Sequence, residues 1–184
     1  VILMTFWAGR EAFGEVRFFY VADTFVEETR EETFVVDGPA VVDLAADHGD
    51  VTVTGSEGNQ VEVVARLTLW GEDEEDARRQ IDVQMSQRGN RITIREVRPE
   101  RMYVGFASTQ GSRVDFEIRV PSETSLKLVT DHGDLLVDGV AGAMELKTDF
   151  GNVEVEEVSG QVDAQSDSGN ITLTGVSDGG DVGV

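Results

Sequence analysis

Cysteine is absent from this 184-residue chain, so it contains no disulfide framework, thiol nucleophile or thiolate metal site. Lysine occurs only at Lys127 and Lys147, and 15 basic residues face 36 acidic ones, for a net charge of −21. A field of that sign repels nucleic-acid phosphate and anionic lipid headgroups and argues against a nucleic-acid partner. Low lysine with abundant Asp and Glu is also the composition of a surface kept hydrated in salt. No apolar run approaches the roughly 20 residues that span a bilayer. The apolar opening, residues 1–8, reads as the end of a truncated membrane anchor or signal segment, or as a buried strand. No Ser-His-Asp signature, Walker loop or dinucleotide fingerprint is present. Hydrophobic residues make up 40%, too many for a disordered acidic tail and enough for one core.

What is present is a repeat. Asp131-His132-Gly133-Asp134, Asp149-Phe150-Gly151-Asn152 and Asp167-Ser168-Gly169-Asn170 recur every 18 residues, each followed by apolar residues two apart. A fourth opening, Asp47-His48-Gly49-Asp50, stands far upstream. Each unit carries two strand signals, such as Leu135/Val137 and Met144/Leu146. Each rung therefore reads as strand, corner, strand, turn. One rung cannot bury its apolar face; stacking rungs about 4.8 Å apart pairs the backbones and aligns apolar columns. The spacing predicts a mostly-β, single-domain β-solenoid of stacked 18-residue rungs. Gly49, Gly133, Gly151 and Gly169 are its structural turn glycines, placed where a tight turn favours positive φ. A left-handed hexapeptide helix fits less well, because Leu135, Val140 and Leu146 are spaced five and then six. The Gly-Gly-x-Gly-x-Asp motif of a calcium-binding nonapeptide roll is missing.

Residues 40–55 read as one more rung, separated from the rest by a strand-helix-strand insertion at about 60–120. The inserted helix is expected over Glu72–Arg88: its first turn is acidic, Ala77, Ile81 and Met85 form an apolar stripe, and Gly89-Asn90 supplies a stop. Residues 1–32 read as an N-terminal attachment segment, with the charge run Glu27–Glu32 as a solvated linker or exposed turn. Residues 33–184 form the β-repeat domain.

The Asp-x-Gly-[Asp/Asn]-[Leu/Val/Ile] repeats at Asp131, Asp149 and Asp167 carry a family resemblance, with Ile118-Arg119-Val120-Pro121 just before them. From about Thr33 onward the chain resembles a prokaryotic β-strand-repeat domain of unknown function, called a "putative adhesin" and found in cell-envelope proteins. The resemblance implies a solenoid-like domain beside an anchor or signal segment. It implies no catalytic residues.

Stacking should align Asp131, Asp149 and Asp167 in one column and Asp134, Asn152 and Asn170 in another. Carboxylates about 5 Å apart repel, and a hard cation such as Ca²⁺ could relieve this with oxygen ligands. The alternative is that each side chain caps its own turn and needs no cofactor. His48 and His132 read as solvent-facing turn residues, since Phe150 and Ser168 hold the equivalent places. Trp7, Trp70, Tyr103 and Phe106 read as packing residues, with sugar stacking as the other reading. Paired carboxylates keep a carbohydrate-active enzyme in view as a remote third class. The expected function is a non-enzymatic domain on the outer face of the cell envelope, an adhesin or interaction module with a protein or surface-glycan partner. It would meet the membrane only through a tether upstream of Val1. The other reading is a cytoplasmic or membrane-proximal scaffold or regulatory module of an envelope-stress system. An uncapped ladder end exposes backbone groups, so further sequence after Val184 or end-to-end self-association is expected.

Overall fold

The computed structural model describes residues 24–98, 111–177 and 180–183. Its repeating unit follows from alternation. In β2 (Ala40–His48), β8 (Thr124–His132), β10 (Met144–Phe150) and β12 (Val162–Ser168), every second side chain points into one core. The chain turns at each Asp-x-Gly-Asx and returns as a short strand: β3 (Val51–Ser56), β9 (Leu135–Asp138), β11 (Val153–Glu156) or β13 (Ile171–Thr174). Strands on the same side pair in parallel with no slip. Leu44 lies beside Leu128, Leu128 beside Leu146, and Leu146 beside Ala164. Opposite them, Val53, Val137, Val155 and Leu173 form a facing column. The two sheets thus bury one apolar seam, in which Leu44, Leu128, Val53 and Val137 are wholly inaccessible. Each such side chain contributes about 1.5–3 kcal/mol by leaving water.

The insertion does more than interrupt the ladder. After β4 (Gln60–Gly71), the chain forms β5 (Asp82–Arg88), β6 (Arg91–Val97) and β7 (Arg113–Pro121). β6 pairs in parallel with β2, and β7 with β3, so the insertion supplies a further rung. The sheet orders are β1-β4-β7-β3-β9-β11-β13, where β1 is Thr24–Val35, and β14-β12-β10-β8-β2-β6-β5, where β14 is Gly180–Gly183. β4 and β1 add antiparallel strands to the first sheet, and β5 adds one to the second.

Two expectations are corrected. The helix over Glu72–Arg88 is a single turn and a half, α1 (Glu74–Arg78). Asp73 caps it by accepting from Asp76 N at 2.8 Å, and the Asp76 carboxylate accepts in turn from Glu72 N at 3.2 Å. Met85 belongs instead to β5, where Val83 is buried and its neighbours are exposed. Gly89, at φ 61°, opens the two-residue turn of the β5–β6 hairpin and is not a helix stop. The charge run Glu27–Glu32 is no linker, because it lies in β1, paired with β4 from Thr24 to Val35. Trp7, Tyr103, Phe106 and residues 1–23 fall outside the described residues.

β1 and β5 close the end of the sandwich with charge. Arg30 donates to Asp82 at 2.6 Å and to Glu28 at 3.0 Å, while Arg78 of α1 reaches Glu28 at 3.2 Å. Gln87 of β5 donates to the Val35 carbonyl at 2.7 Å. A charged edge strand resists pairing with another chain. Among the described residues no helix is long and apolar enough to cross a membrane.

Candidate functional site: the turn edge of the ladder

Because the rungs do not slip, each residue of the Asp-x-Gly-Asx turn forms a column along one edge. The glycine column is required chiefly by closeness. A Cβ on Gly133 would stand 1.9 Å from the Gly49 carbonyl oxygen, on Gly151 2.0 Å from that of Gly133, and on Gly169 1.9 Å from that of Gly151. Gly49, at φ 131°, and Gly133, at φ 157°, also have the positive φ expected of the turn, whereas Gly151 and Gly169 do not. The turn backbones bond upward as well: Gly49 N donates to His132 O at 2.9 Å, Gly133 N to Phe150 O at 3.0 Å, and Gly151 N to Ser168 O at 3.1 Å.

The second Asx position forms a relay. Asp134 N donates to Asp50 Oδ1 at 3.0 Å, Asn152 N to Asp134 Oδ1 at 2.7 Å, and Asn170 N to Asn152 Oδ1 at 3.0 Å. Each side chain therefore caps the turn of the next rung, where the sequence suggested its own. Asp115 extends the relay by one rung, accepting from Asp50 N at 3.1 Å. Asp115 has no Asp-x-Gly context in the sequence, so only the β3–β7 pairing could reveal it. Asn at two positions keeps adjacent carboxylates from stacking throughout.

Asp131, Asp149 and Asp167 form the outer column, at the ends of β8, β10 and β12. Asp149 has Lys147 at 3.7 Å. Among the described residues no group of three or more His, Asp or Glu side chains is arranged to hold a metal ion.

The residue between Asp and Gly makes a ring column. His48 and His132 stack with centroids 4.5 Å apart and planes 5° apart; His132 and Phe150 stack at 4.8 Å and 15°. Ser168 takes the next place, paired in register with Phe150. The rings face solvent, and Phe150 is 55% exposed. Sequence reasoning missed the charges beneath this column. Glu96, whose side chain is inaccessible, accepts from Asp47 N at 2.9 Å and pairs with Arg98 at 2.6 Å. Arg98 also meets Asp47 at 2.9 Å. Burial raises the Glu96 carboxyl above its usual range. Partial burial, then the positive Arg98 and the neighbouring His132, lower the His48 imidazole.

Chemically, this edge can stack rings, offer acidic oxygens outward and hold its own backbone. A groove of about 320 Å³ lies beside it, lined in part by His48, Ser112, Arg113 and His132.

Comparison with curated proteins found no match. Among solved structures, a putative cell adhesion protein from Clostridium sporogenes is similar at 11% identity. The likeness covers 85% of this chain and 98% of that one, with a TM-score of 0.43. A putative adhesin from Bacteroides fragilis is similar at 16% identity over 82% of this chain and 64% of that one, with a TM-score of 0.44. A putative lipid binding protein from Parabacteroides distasonis is similar at 14% identity over 85% and 59%, with a TM-score of 0.37. The family model described as Toastrack DUF4097 matches residues 40–177, which is most of the chain and every complete rung, and the chain belongs to that family.

Proposed function

We propose that this domain is a non-enzymatic interaction or adhesion module, carried on the outer face of the cell envelope. The observation that carries this reading is the relay from Asp115 through Asp50 and Asp134 to Asn152. It commits the side-chain oxygens nearest the turns to backbone N–H groups of the following rung. What remains outward is repetition at a fixed pitch: acidic side chains on the strand faces and rings along the edge. A surface of that kind suits many weak contacts with a partner or a surface glycan, which add through multivalency. The net charge of −21 supports a partner other than nucleic acid.

Protease shaving of intact source cells, followed by peptide mass spectrometry, tests the placement. A protease that cuts after Glu samples the later rungs best, because no Lys or Arg stands between Thr148 and Val184. Release of peptides from 131–184 is the expected result. Protection in intact cells, with cleavage only after lysis, would move the domain inside and favour an intracellular scaffold or regulatory module.

A further inference from the structure

The ring column stops one rung early. His48, His132 and Phe150 stack at 4.5 and 4.8 Å, which is the pitch of the rungs. The next rung places Ser168 where a fourth ring would stand. One face of the Phe150 ring lies on His132. The other faces a position filled only by a small, exposed side chain, and Phe150 is 55% exposed as a result. The fold thus leaves a ring-sized step at a defined height on an otherwise continuous stack.

The surroundings of the step carry one sign. Asp149 and Asp167 precede Phe150 and Ser168 on the adjoining column. Asp167 has no hydrogen-bond or ion-pair partner among the described residues, and Asp149 is paired among them only with Lys147, at 3.7 Å. A neutral ring would stack here but leave the carboxylates unanswered. An ammonium would answer them but has no plane to lay on the ring. A guanidinium does both: it is flat, permanently charged, stacks on aromatic faces and donates in a fork that matches carboxylates.

We propose that the step between Phe150 and Ser168 is a docking site for an arginine side chain of a partner protein. The guanidinium lies on the free face of Phe150 and donates to Asp167 and Asp149. This rests on reading the domain as an interaction module, and it assigns that module a partner chemistry.

The test is titration of the folded domain with two short labelled peptides of the same length, one bearing arginines and one lysines, at low and moderate salt. The expected result is tighter binding of the arginine peptide by about fivefold, the scale of one exposed cation–π contact. Phe150→Ala should abolish that preference. Ser168→Arg should abolish it too, by laying a guanidinium of the chain's own on the Phe150 ring. Asp163→Asn, on the outer face of β12, changes the net charge as much as Ser168→Arg does and should leave the preference intact. Equal binding of both peptides, or a preference that survives Phe150→Ala and Ser168→Arg, would show diffuse attraction to the acidic surface and overturn the assignment. Failure to bind the arginine peptide, or binding of a neutral oligosaccharide in its place, would overturn it as well. Ser168→Arg decides the matter if Phe150→Ala weakens the fold. The peptide titration leaves the cellular location untouched, so its failure and failure of the surface reading are separate results.

Discussion

At the scale of single residues, contact between rungs governs what each position tolerates. Gly151→Ala would drive a methyl group to 2.0 Å from the Gly133 carbonyl oxygen, and the backbone on both rungs would have to shift. A loss of about 3 kcal/mol is expected from such overpacking, measured by denaturant unfolding. Gly38→Ala is the control, because its Cβ would meet nothing closer than Asn90 at 3.4 Å. The buried hydroxyls make a second contrast. Thr148 donates to Gly133 O at 3.0 Å and Ser166 to Gly151 O at 2.9 Å, whereas the buried Thr130 hydroxyl, in the same column, has no partner among the described residues. Thr148→Val should cost about 1 kcal/mol, and Thr130→Val should be neutral or stabilising. The glycine positions were legible from their 18-residue spacing. The main reason for them was not, since closeness to the rung beneath is a property of stacking and not of the turn itself.

His48 carries a pH dependence of definite sign. Its imidazole is lowered below the ordinary 6.5 by partial burial, Arg98 and His132. A depressed group binds fewer protons in the folded state, so its contribution to stability is present above about 6.5 and is lost as pH falls through the folded value. Melting temperatures at pH 7.5 and 5.5 should therefore differ more in the native protein than in His48→Phe, which keeps the ring stack without the titrating nitrogen. An unchanged difference would remove His48 from the acid response. Glu96 works in the opposite sense. Its raised carboxyl favours the folded state at low pH, and that contribution fades as pH climbs past the ordinary 4.5. The His48 variant isolates one slope from the other.

At the scale of elements, the short return strands β9, β11 and β13 hold only four residues each, and the Asx relay helps to set their register. Asn152→Leu removes an acceptor from Asn170 N and a donor to Asp134. A loss of about 1 kcal/mol is expected, with faster amide exchange at Asn170 than at Asn152. Asn152→Asp keeps the acceptor and should retain protection at Asn170. The elements that the sequence reading misassigned share one cause, which is that their partners are distant in the chain. Ala77, Ile81 and Met85 suit a helix, but Ile81, Val83 and Met85 suit a strand equally, and pairing with β6 decides for the strand after Ile81. The run Glu27–Glu32 has no apolar alternation of its own. It is a strand because Val26 and Phe34 anchor its two ends in the core and β4 satisfies its backbone. The 18-residue rungs were legible because their partners are their own copies.

At the scale of the whole molecule, one face of the balance is hydrophobic columns and the other is charge. Fifteen cations against 36 acids leave −21 on a 20.0 kDa domain, and no Lys or Arg follows Lys147 to moderate the last rungs. Compaction brings these charges together, so self-repulsion opposes folding and salt should relieve it. At 0.1 M ionic strength the screening length is about 10 Å, roughly two rungs, whereas at 0.01 M it is about 30 Å and spans most of the ladder. The expected outcome is a melting temperature that climbs steeply between about 0.01 and 0.5 M NaCl. The gain should be largest for amides in β11 to β13, because the opposite end is already neutralised locally by Arg30, Arg78 and their acidic partners. Hydrogen exchange at the two salt concentrations reads both ends in one experiment. A uniform gain along the ladder would mean that the domain melts as a single unit and that the uncompensated charge of the last rungs has no local effect. A flat response would mean that the acidic rows are spaced widely enough for water alone to screen them.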